Sequence, residues 1–432
     1  MASGIGRKHR PLSPEEMLRV MEERLGSLPL DGKRVLVITP DSTRTAPVAQ
    51  CIENFYRLLH GRAKALDFVI ALGTHPIMPA EAVAKLVGSP VEGGPTRFEL
   101  TKYPGSHVFN HRWDLPETFV QIGTLSRREV EELSDGQLSL DVPVKINRLV
   151  MDYDHLVICG PVFPHEVVGF SGGNKYFFPG IGGWEIIDFT HWLGALLTIM
   201  KIIGVKETPV REAIDRAAAM IPRPRHAFTL VMHGTEPYGL FFGTPEDAFS
   251  AAADLSAELD IVYVEKPFKL VVSVMPEMYD DLWTAAKGTY KVEPAVADGG
   301  EVIIYAPHIT EVSYTHGKLI DQVGYHVKDY FLKQWDRFKD VPWMILAHST
   351  HVKGAGTYDP ATGEHPRIKV TLATGIPEER CRRINLGYRS PDSIDLEALK
   401  GREDEGILVI PRAGEMLYRL KGWKARQPKS EG

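Results

Sequence analysis

The sequence lacks the features that mark several common classes of protein. Among its 432 residues are only three cysteines, Cys51, Cys159 and Cys381, and no two of them form a CxxC pair. This pattern excludes a disulfide framework and a thiolate zinc site, and it fits a reducing compartment. The formal net charge of −6 argues against nucleic acid as the main partner, because nucleic acid selects basic surfaces.

Long apolar segments are also missing. The most apolar stretch, residues 192–205, is interrupted by Lys201 and is too short to span a bilayer, so we expect a buried helix there. The basic cluster Arg7-Lys8-His9-Arg10 is not followed by an apolar run, so no secretory signal is predicted. We therefore expect a cytoplasmic protein without a membrane partner.

Known nucleotide-binding motifs are absent as well. No GxGxxG follows a predicted strand, which argues against a dinucleotide fold. The glycine-rich segment near residue 172 is not a Walker loop, because that motif requires a glycine at Asn174 and a hydroxyl at Tyr176.

The chain does contain short β-branched runs that alternate with helical periodicity, which is typical of an α/β fold. We expect two α/β domains with largely parallel sheets and a cofactor and substrate cleft between them. The N-terminal cofactor-binding and catalytic domain is predicted over 1–266, with 405–432 returning to it, and the substrate-closing domain over 267–404. The predicted strands are 34–38, 68–72, 156–159 and 261–264 in the first domain, and 270–274, 302–305, 344–347 and 370–372 in the second.

Three loops of the first domain follow predicted strands. They are Asp41-Ser42-Thr43-Arg44, Gly73-Thr74-His75 and a long loop from Gly160 to Gly183 that contains seven glycines. Ligands of open α/β sheets bind beyond the carboxyl ends of the strands, so these loops are the candidate site. A glycine-rich loop can bind an anion through its backbone amides, although a purely structural turn remains an alternative.

The third loop contains PHxxxGFSGGxK, from Pro164 to Lys175, followed by PGI and by His191, sixteen residues after the lysine. This arrangement resembles the lactate racemase family, whose enzymes use a nickel-pincer nucleotide. Asp41 to Arg44 resembles the D-x-[ST]-R segment of that family, and Gly73 to His75 resembles its G-[ST]-H segment. Lys287-Gly288 is similar to a further lysine segment. The resemblance extends over about residues 34–395.

The resemblance implies a cofactor and its attachment. The cofactor would be pyridinium-3-thioamide-5-thiocarboxylic acid mononucleotide with nickel, tethered at Lys175. His191 would be the protein ligand of the nickel, although a histidine on an apolar helix can equally be a satisfied core residue. Ser171, Gly172 and Gly173 are the candidate contacts to the cofactor.

The resemblance also implies the roles of the remaining site residues. His75 and His165 would be the paired acid–base histidines, since imidazole titrates near working pH. Arg44 and Lys287 would bind the substrate carboxylate. Asp41 would orient Arg44 or His75, although an Asx-turn role explains this residue equally well.

One part of the pattern departs from the family. A Tyr-Gln pair precedes the second-domain lysine in the lactate enzyme, whereas Trp283-Thr284 stands here. We expect these two residues to contact the substrate and to favour an acid larger and more polar than lactate, such as a sugar acid. Four further histidines lie in the second half, and the family pattern does not fix their roles: His308, His316, His348 and His351.

The sequence thus predicts an isomerase, a racemase or 2-epimerase of an α-hydroxy acid that transfers hydride reversibly through a 2-keto acid. Its partners would be the small-molecule substrate and, transiently, proteins that build and insert the cofactor. Two alternatives remain open at this point: another metal-dependent enzyme, either a hydrolase or an oxidoreductase, and a two-domain protein that only binds an anion.

Overall fold

Three apolar runs of the N-terminal half form neighbouring strands in the centre of one sheet. The computed structural model, which describes residues 2–422, places these strands at Arg34–Thr39, Ala65–Ile70 and His155–Val162. Arg34–Thr39 pairs in parallel with both of the others. All eight residues of His155–Val162 are buried, as expected for a parallel strand that is covered on both faces.

The whole sheet has nine strands, parallel in the centre and antiparallel at both edges. Their spatial order is Ser3–Gly6, Glu236–Gly243, Arg225–His233, His155–Val162, Arg34–Thr39, Ala65–Ile70, His107–Asn110, Arg97–Leu100 and Val91–Gly93. A separate antiparallel ladder joins Phe119–Leu125 to Val142–Asn147. Two further strands have two residues each, Pro164–His165 and Gly169–Phe170.

Helices cover this sheet through apolar faces. Phe55 of the helix Val48–Leu59 packs edge to face on two strand residues, Phe68 at 6.5 Å and Phe228 at 5.7 Å between ring centroids. The other helices of this part are Pro14–Gly26, Ala80–Val87, Arg127–Leu133, Pro209–Ala219 and Pro245–Asp260, with 3₁₀ helices at Pro116–Thr118, Arg148–Met151 and Gly173–Tyr176. The helix Trp184–Leu197 begins in this part of the chain, and most of its residues belong to the second unit.

A second, fully parallel sheet has five strands. Their order is Gly387–Tyr388, Lys369–Thr374, Val296–Ala306, Phe268–Val274 and Ile407–Ile410. Ile261–Val264 pairs with Leu417–Leu420, and Gly356–Asp359 pairs with Gly363–Pro366. The helices here are Ile199–Ile202, Leu282–Ala285, Lys287–Tyr290, Gly317–Val323, Lys328–Leu332, Trp335–Phe338, Trp343–Lys353, Glu378–Arg383 and Leu396–Leu399, with 3₁₀ helices at Glu293–Ala295, Pro391–Ser393 and Glu403–Glu405.

The chain divides into two units whose boundaries differ from the expected ones. Of the described residues, the first unit contains 2–163, 170–187 and 206–259, and the second contains 164–169, 188–205 and 260–422. His165 and His191 therefore belong to the second unit, although the sequence assigned them to the N-terminal domain.

Two expectations about the C-terminal half are wrong. The segment after residue 405 does not return to the first domain, because Ile407–Ile410 pairs in parallel with Phe268–Val274 in the second sheet. Residues 423–432 of that expected segment lie outside the described residues. The predicted strand at 344–347 is part of the helix Trp343–Lys353. Over residues 2–422, no helix combines the length and the apolar character required to cross a membrane.

Candidate active site

Asp41 and His75 meet at the carboxyl ends of two neighbouring strands. Asp41 follows Arg34–Thr39, and His75 follows Ala65–Ile70. Since these strands are parallel and adjacent, both ends lie at the same edge of the sheet. The Nδ1 atom of His75 is 2.5 Å from Oδ2 of Asp41.

The ionisation of Asp41 determines which nitrogen of His75 carries the proton. Burial by itself would raise the pKa of the Asp41 carboxyl. The charge and hydrogen bond of His75, the charge of Arg44 and the hydrogen bond from the Thr43 hydroxyl act in the opposite direction and outweigh burial. The pKa of Asp41 therefore lies well below its usual range. An ionised carboxylate only accepts hydrogen bonds, so Nδ1 of His75 donates. In the neutral ring, Nε2 then carries a lone pair that can accept a proton.

Thr43 connects Arg44 to the same carboxylate. The Thr43 hydroxyl donates to Oδ1 of Asp41 at 2.6 Å and accepts from Nη1 of Arg44 at 2.7 Å. The Thr43 amide also donates to Oδ1 of Asp41 at 3.1 Å, which is the hydrogen bond of an Asx turn. Asp41 therefore forms the turn and also contacts His75, so the two interpretations of this residue are compatible. Sequence reasoning had missed Thr43.

Two further contacts fix the backbone around His75. The indole Nε1 of Trp113 donates to the His75 carbonyl at 2.7 Å. The amide of Gly73, whose φ is +56°, donates to the carbonyl of Gly180 at 2.9 Å. This second bond joins the Gly-Thr-His loop to the glycine-rich loop of the same unit.

Ser171, Gly172 and Gly173 are buried and packed inside their own loop. The Ser171 hydroxyl accepts from the Phe163 amide at 3.0 Å. A Cβ atom at Gly172 would lie 2.3 Å from a Val162 methyl carbon, and one at Gly173 would lie 2.8 Å from Cβ of Phe249. Both glycines have positive φ, so loop closure alone already requires these residue types.

A buried arginine that sequence reasoning missed holds this loop. Arg211 donates to the carbonyls of Gly172 at 3.0 Å and Phe170 at 2.5 Å, and its guanidinium lies 4.0 Å from the ring centroid of Phe249. Burial lowers the pKa of Arg211 to about 10, while the charge of Asp215 acts in the opposite direction. The available signal was a charged residue within the apolar stripe of the helix Pro209–Ala219.

The residues beside Lys175 are also tied to the body of the first unit. The side-chain amide nitrogen of Asn174 donates to Oδ1 of Asp215 at 2.9 Å and to Oε1 of Glu246 at 2.6 Å. Lys175 itself is half-buried, its amide donates to the Gly172 carbonyl at 3.2 Å, and it lies in the 3₁₀ helix Gly173–Tyr176. The lysine therefore sits on a supported turn.

His165, in the second unit, has the opposite hydrogen-bond pattern to His75. The ring is 7% exposed, and its Nδ1 accepts from the Val167 amide at 3.1 Å. A backbone amide can only donate, so the neutral ring of His165 carries its hydrogen on Nε2. The Glu166 carboxylate lies 3.3 Å from the same Nδ1.

His191 belongs to a group of imidazoles in the second unit. Burial, followed by the charges of His351, His316 and His191, lowers the pKa of His348 well below its ordinary value. His348 stacks on Trp283 with ring centroids 3.7 Å apart, and His316 lies 4.7 Å from the same indole. The family pattern did not indicate this contact of His316 and His348 with Trp283.

Thr284 and Lys287 lie in two consecutive short helices, Leu282–Ala285 and Lys287–Tyr290. The Thr284 hydroxyl donates to Oδ1 of Asp281 at 2.8 Å, and its amide donates to that oxygen at 2.9 Å, which caps the helix Leu282–Ala285. The Lys287 ammonium lies 4.3 Å from the ring centroid of Tyr279. Lys287 is thus the first residue of a short helix, and its ammonium group lies over the ring of Tyr279.

The donor atoms fit an organometallic cofactor better than an all-protein metal site. In residues 2–422, no three or more histidine, cysteine or acidic side chains are grouped so that they could bind a metal ion. A metal held here would need ligands from an organic group in addition to an imidazole such as that of His191. Lys175 supplies an amine that can form a covalent link.

The N-terminal part of the chain is similar in sequence to lactate racemases. The family model described as "Lactate racemase N-terminal domain" matches residues 15–198. A lactate racemase from Thermoanaerobacterium thermosaccharolyticum is 25% identical over 289 residues, which are 66% of this chain and 62% of that relative. A lactate racemase from Lactiplantibacillus plantarum is 22% identical over 307 residues, 69% of this chain and 67% of the relative. The match thus spans less than two thirds of the first relative.

Solved structures extend the similarity over nearly the whole chain. A protein from Thermotoga maritima superposes with a TM-score of 0.87 and 34% identity, covering 96% of this chain and 100% of that one. The apoprotein of the Thermoanaerobacterium lactate racemase gives a TM-score of 0.71 at 21% identity, covering 96% and 95%. The α/β fold, with largely parallel sheets, is confirmed by this likeness. Residues 15–198 of the chain thus match the N-terminal domain of the lactate racemase family.

Proposed function

We propose that this protein is an isomerase that racemises or epimerises an α-hydroxy acid at C2. The observation that carries the proposal is the linked set of Asp41, Thr43, Arg44 and His75. It combines a proton acceptor oriented by a carboxylate with a cation suited to a carboxylate ligand. An α-hydroxy acid has both groups that such a set addresses, a hydroxyl and a neighbouring carboxylate.

In one direction of the reaction, His75 accepts a proton and His165 donates one. His75 offers an unprotonated Nε2, because its Nδ1–H is engaged by Asp41. His165 acts as the acid in its protonated form, in which Nε2 carries the transferred hydrogen and the Glu166 carboxylate, 3.3 Å from Nδ1, favours the positive charge. With one enantiomer neutral His75 removes the hydroxyl proton, and protonated His165 returns a proton from Nε2 to the carbonyl oxygen of the intermediate and becomes neutral. With the other enantiomer the two histidines exchange roles.

The electrons and protons of the reaction balance with the substrate, the two histidines and one hydride carrier. The hydroxyl loses its proton to a histidine while the α-hydrogen leaves with its electron pair, which gives a planar 2-keto acid. Return of the hydride to the opposite face and of a proton to the oxygen gives the inverted product. When bound, the nickel-pincer nucleotide supplies the hydride acceptor and donor. Arg44 and Lys287 hold the carboxylate during the exchange.

We assign the nickel ligand to His191 and the covalent tether to Lys175. Ser171, Gly172 and Gly173 would contribute through the shape and backbone of their loop, since the Ser171 hydroxyl already closes that loop. The buried guanidinium of Arg211 keeps the loop carbonyls in place.

The substrate is proposed to be larger and more polar than lactate, such as a sugar acid. The indole of Trp283 supplies an aromatic surface and an N–H donor for a polyol chain. Thr284, whose hydroxyl is engaged by Asp281, leaves the volume that a longer side chain would occupy. We further propose that the protein acts in the cytoplasm and meets cofactor-building and cofactor-inserting proteins transiently.

The test is a substrate survey with holoprotein made in a host that also expresses the cofactor-building enzymes. Each acid is supplied as one enantiomer or epimer, and formation of the other is followed by chiral chromatography. The proposal expects inversion at C2 for at least one 2-hydroxy acid. A protein that binds these acids without inverting any of them would instead be an anion-binding protein.

A further inference from the structure

The second unit contains a cavity at the amino ends of its parallel strands. It has a volume of about 450 Å³ and is lined by the first residues of Lys369–Thr374 and by Gly387, which begins the neighbouring strand. This volume lies within the range of small-molecule sites. The cavity is at the opposite edge of this sheet from residues such as Thr374, where ligands of α/β folds usually bind.

The lining of this cavity is cationic. Its charged residues are Lys353, Arg367, Lys369 and Arg382, and none of the described residues that line it is acidic. Two of the cations are on the exposed rim, where Lys369 pairs with Glu301 and Arg382 pairs with Glu378.

The side chains of Lys369 and Arg382 can turn toward a ligand with little loss of stabilising free energy. Their side chains are 60% exposed for Lys369 and 61% exposed for Arg382. Exposed ion pairs contribute little to stability, so an incoming anion can compete with their present partners. Arg367 is different, because it donates to the carbonyls of Val296 and Glu293 and its charge is already paired with Asp298 at 3.1 Å and Glu293 at 3.5 Å. It therefore serves as part of the cavity wall.

Lys353 is the cation that most needs an anion. Its ammonium donates to the carbonyl of Asn385 at 2.6 Å, and in the described part of the chain no carboxylate lies within ion-pair distance of it. Burial lowers the pKa of Lys353, while the charge of Glu364 acts in the opposite direction. A partly buried ammonium held only by a neutral carbonyl gains free energy when a negative charge approaches.

We propose that this cavity is a binding site for a small polyanion with at least two negative charges, a phosphate ester or a polycarboxylate. Lys353 contacts the anion from the wall, and Lys369 and Arg382 close on it from the rim. A guanidinium fork and two ammonium groups suit both phosphate and carboxylate oxygens. The site is independent of the proposed racemase function, since none of its residues belongs to the acid–base or cofactor machinery.

The test is isothermal titration of the holoprotein with two probes that cannot be substrates of an α-hydroxy acid racemase. Fructose 1,6-bisphosphate has no carboxylate, and tricarballylate has no hydroxyl. We expect saturable binding of one probe per chain, and the stronger of the two identifies the ligand as phosphate ester or polycarboxylate. Lys353→Met should weaken binding by about tenfold or more, as expected for loss of a charge-assisted hydrogen bond.

A matched control is Lys333→Met, because the Lys333 ammonium also donates to a backbone carbonyl, that of Tyr358, but does not line the cavity. This variant should bind like the unmodified protein. If Lys353→Met does not fold, the double variant Lys369→Gln/Arg382→Gln changes only exposed side chains and should weaken binding in the same way. Absence of saturable binding, or unchanged affinity in the cavity variants, would overturn the proposal.

Discussion

The imidazole of His348 stacks on the indole of Trp283, with ring centroids 3.7 Å apart and an angle of 20° between the planes. One face of the indole is therefore already covered by a buried, neutral ring. The His316 ring centroid lies 4.7 Å from that of the same indole. A substrate chain can contact only the part of Trp283 that these two imidazoles leave uncovered, which restricts the orientation of any polyol that binds there.

Replacing Trp283-Thr284 by Tyr-Gln should shift the preference toward lactate. In the unmodified protein we expect a higher kcat/KM for aldonic acids than for lactate, longer aliphatic 2-hydroxy acids or malate. The double variant should raise the ratio of kcat/KM for lactate to kcat/KM for aldonic acids by roughly tenfold or more. Changes of this size are usual when side chains that line a substrate pocket are replaced. Trp343→Tyr, an equivalent change elsewhere in this unit, should leave the ratio unchanged. A preference of the unmodified protein for lactate over every larger acid would contradict the substrate proposal.

Asp41→Asn should damage turnover much more than substrate binding. The neutral amide no longer enforces the tautomer in which His75 Nε2 accepts a proton, so kcat should fall by roughly 10² to 10⁴-fold, the usual contribution of a general base. KM should change little, because Arg44 is retained. Steady-state kinetics in both directions provide the measurement.

Asp67→Asn is the control for that variant. Asp67 binds His107 at 2.9 Å in a second carboxylate–imidazole pair of the same unit, away from the proposed acid–base set. We expect Asp67→Asn to lower stability while kcat per folded molecule is retained. Equal losses of kcat in both variants would show that the Asp41 effect is only structural.

Lys175 and His191 should affect the cofactor in different ways. Lys175→Ala should lose a covalent mass increase on the peptide that contains residue 175, whereas His191→Ala should lose bound nickel. Intact-protein mass spectrometry and metal analysis measure both without relying on activity. Lys201→Ala, at an exposed position of the second unit, should retain adduct and nickel. Fully active holoprotein without nickel would contradict the cofactor assignment.

His111 should make the first unit less stable in mild acid. Burial lowers the pKa of His111 to about 4, with the Gly182 carbonyl and Asp114 opposing that shift. Between pH 6.5 and about 4 the unfolded chain binds a proton that the native ring does not, so stability falls as the pH falls. The loss attributable to this residue is at most about 3 kcal/mol.

The measurement is urea unfolding at pH 7 and pH 4.5 for the unmodified protein and for His111→Asn. The variant should be less stable at pH 7, and its stability should depend less on pH over this interval. A constant difference between the two proteins at both pH values would be inconsistent with titration of His111.

The first-unit site could be predicted from the sequence because its geometry follows from local patterns. Buried β-branched runs identify parallel strands, and the residues after them must lie at one edge of the sheet. That argument brings Asp41, Arg44 and His75 together. It does not identify Thr43 as the link, since the hydroxyl orientation depends on the turn, nor Arg211, whose loop partners are distant in sequence.

The second unit was harder to predict for two physical reasons. Residues 344–347 form a short apolar run, which suits a buried strand or a buried helix equally, and only the longer helix Trp343–Lys353 settles it. The position of Ile407–Ile410 depends on pairing with a strand more than a hundred residues away, which no local pattern encodes. The contact of His348 with Trp283 is likewise a tertiary one.

In the proposed mechanism hydrogen moves between the two faces of C2 as hydride, held within the protein and not exchanged with water. The most direct measurement uses the accepted acid deuterated at C2, incubated with holoprotein in ordinary water and analysed after inversion by mass spectrometry. Hydride transfer should leave the deuterium at C2 of the inverted product, because His75 and His165 exchange only the hydroxyl proton. Product whose C2 deuterium has been replaced by solvent hydrogen at the rate of inversion would indicate carbanion chemistry and rule out hydride transfer.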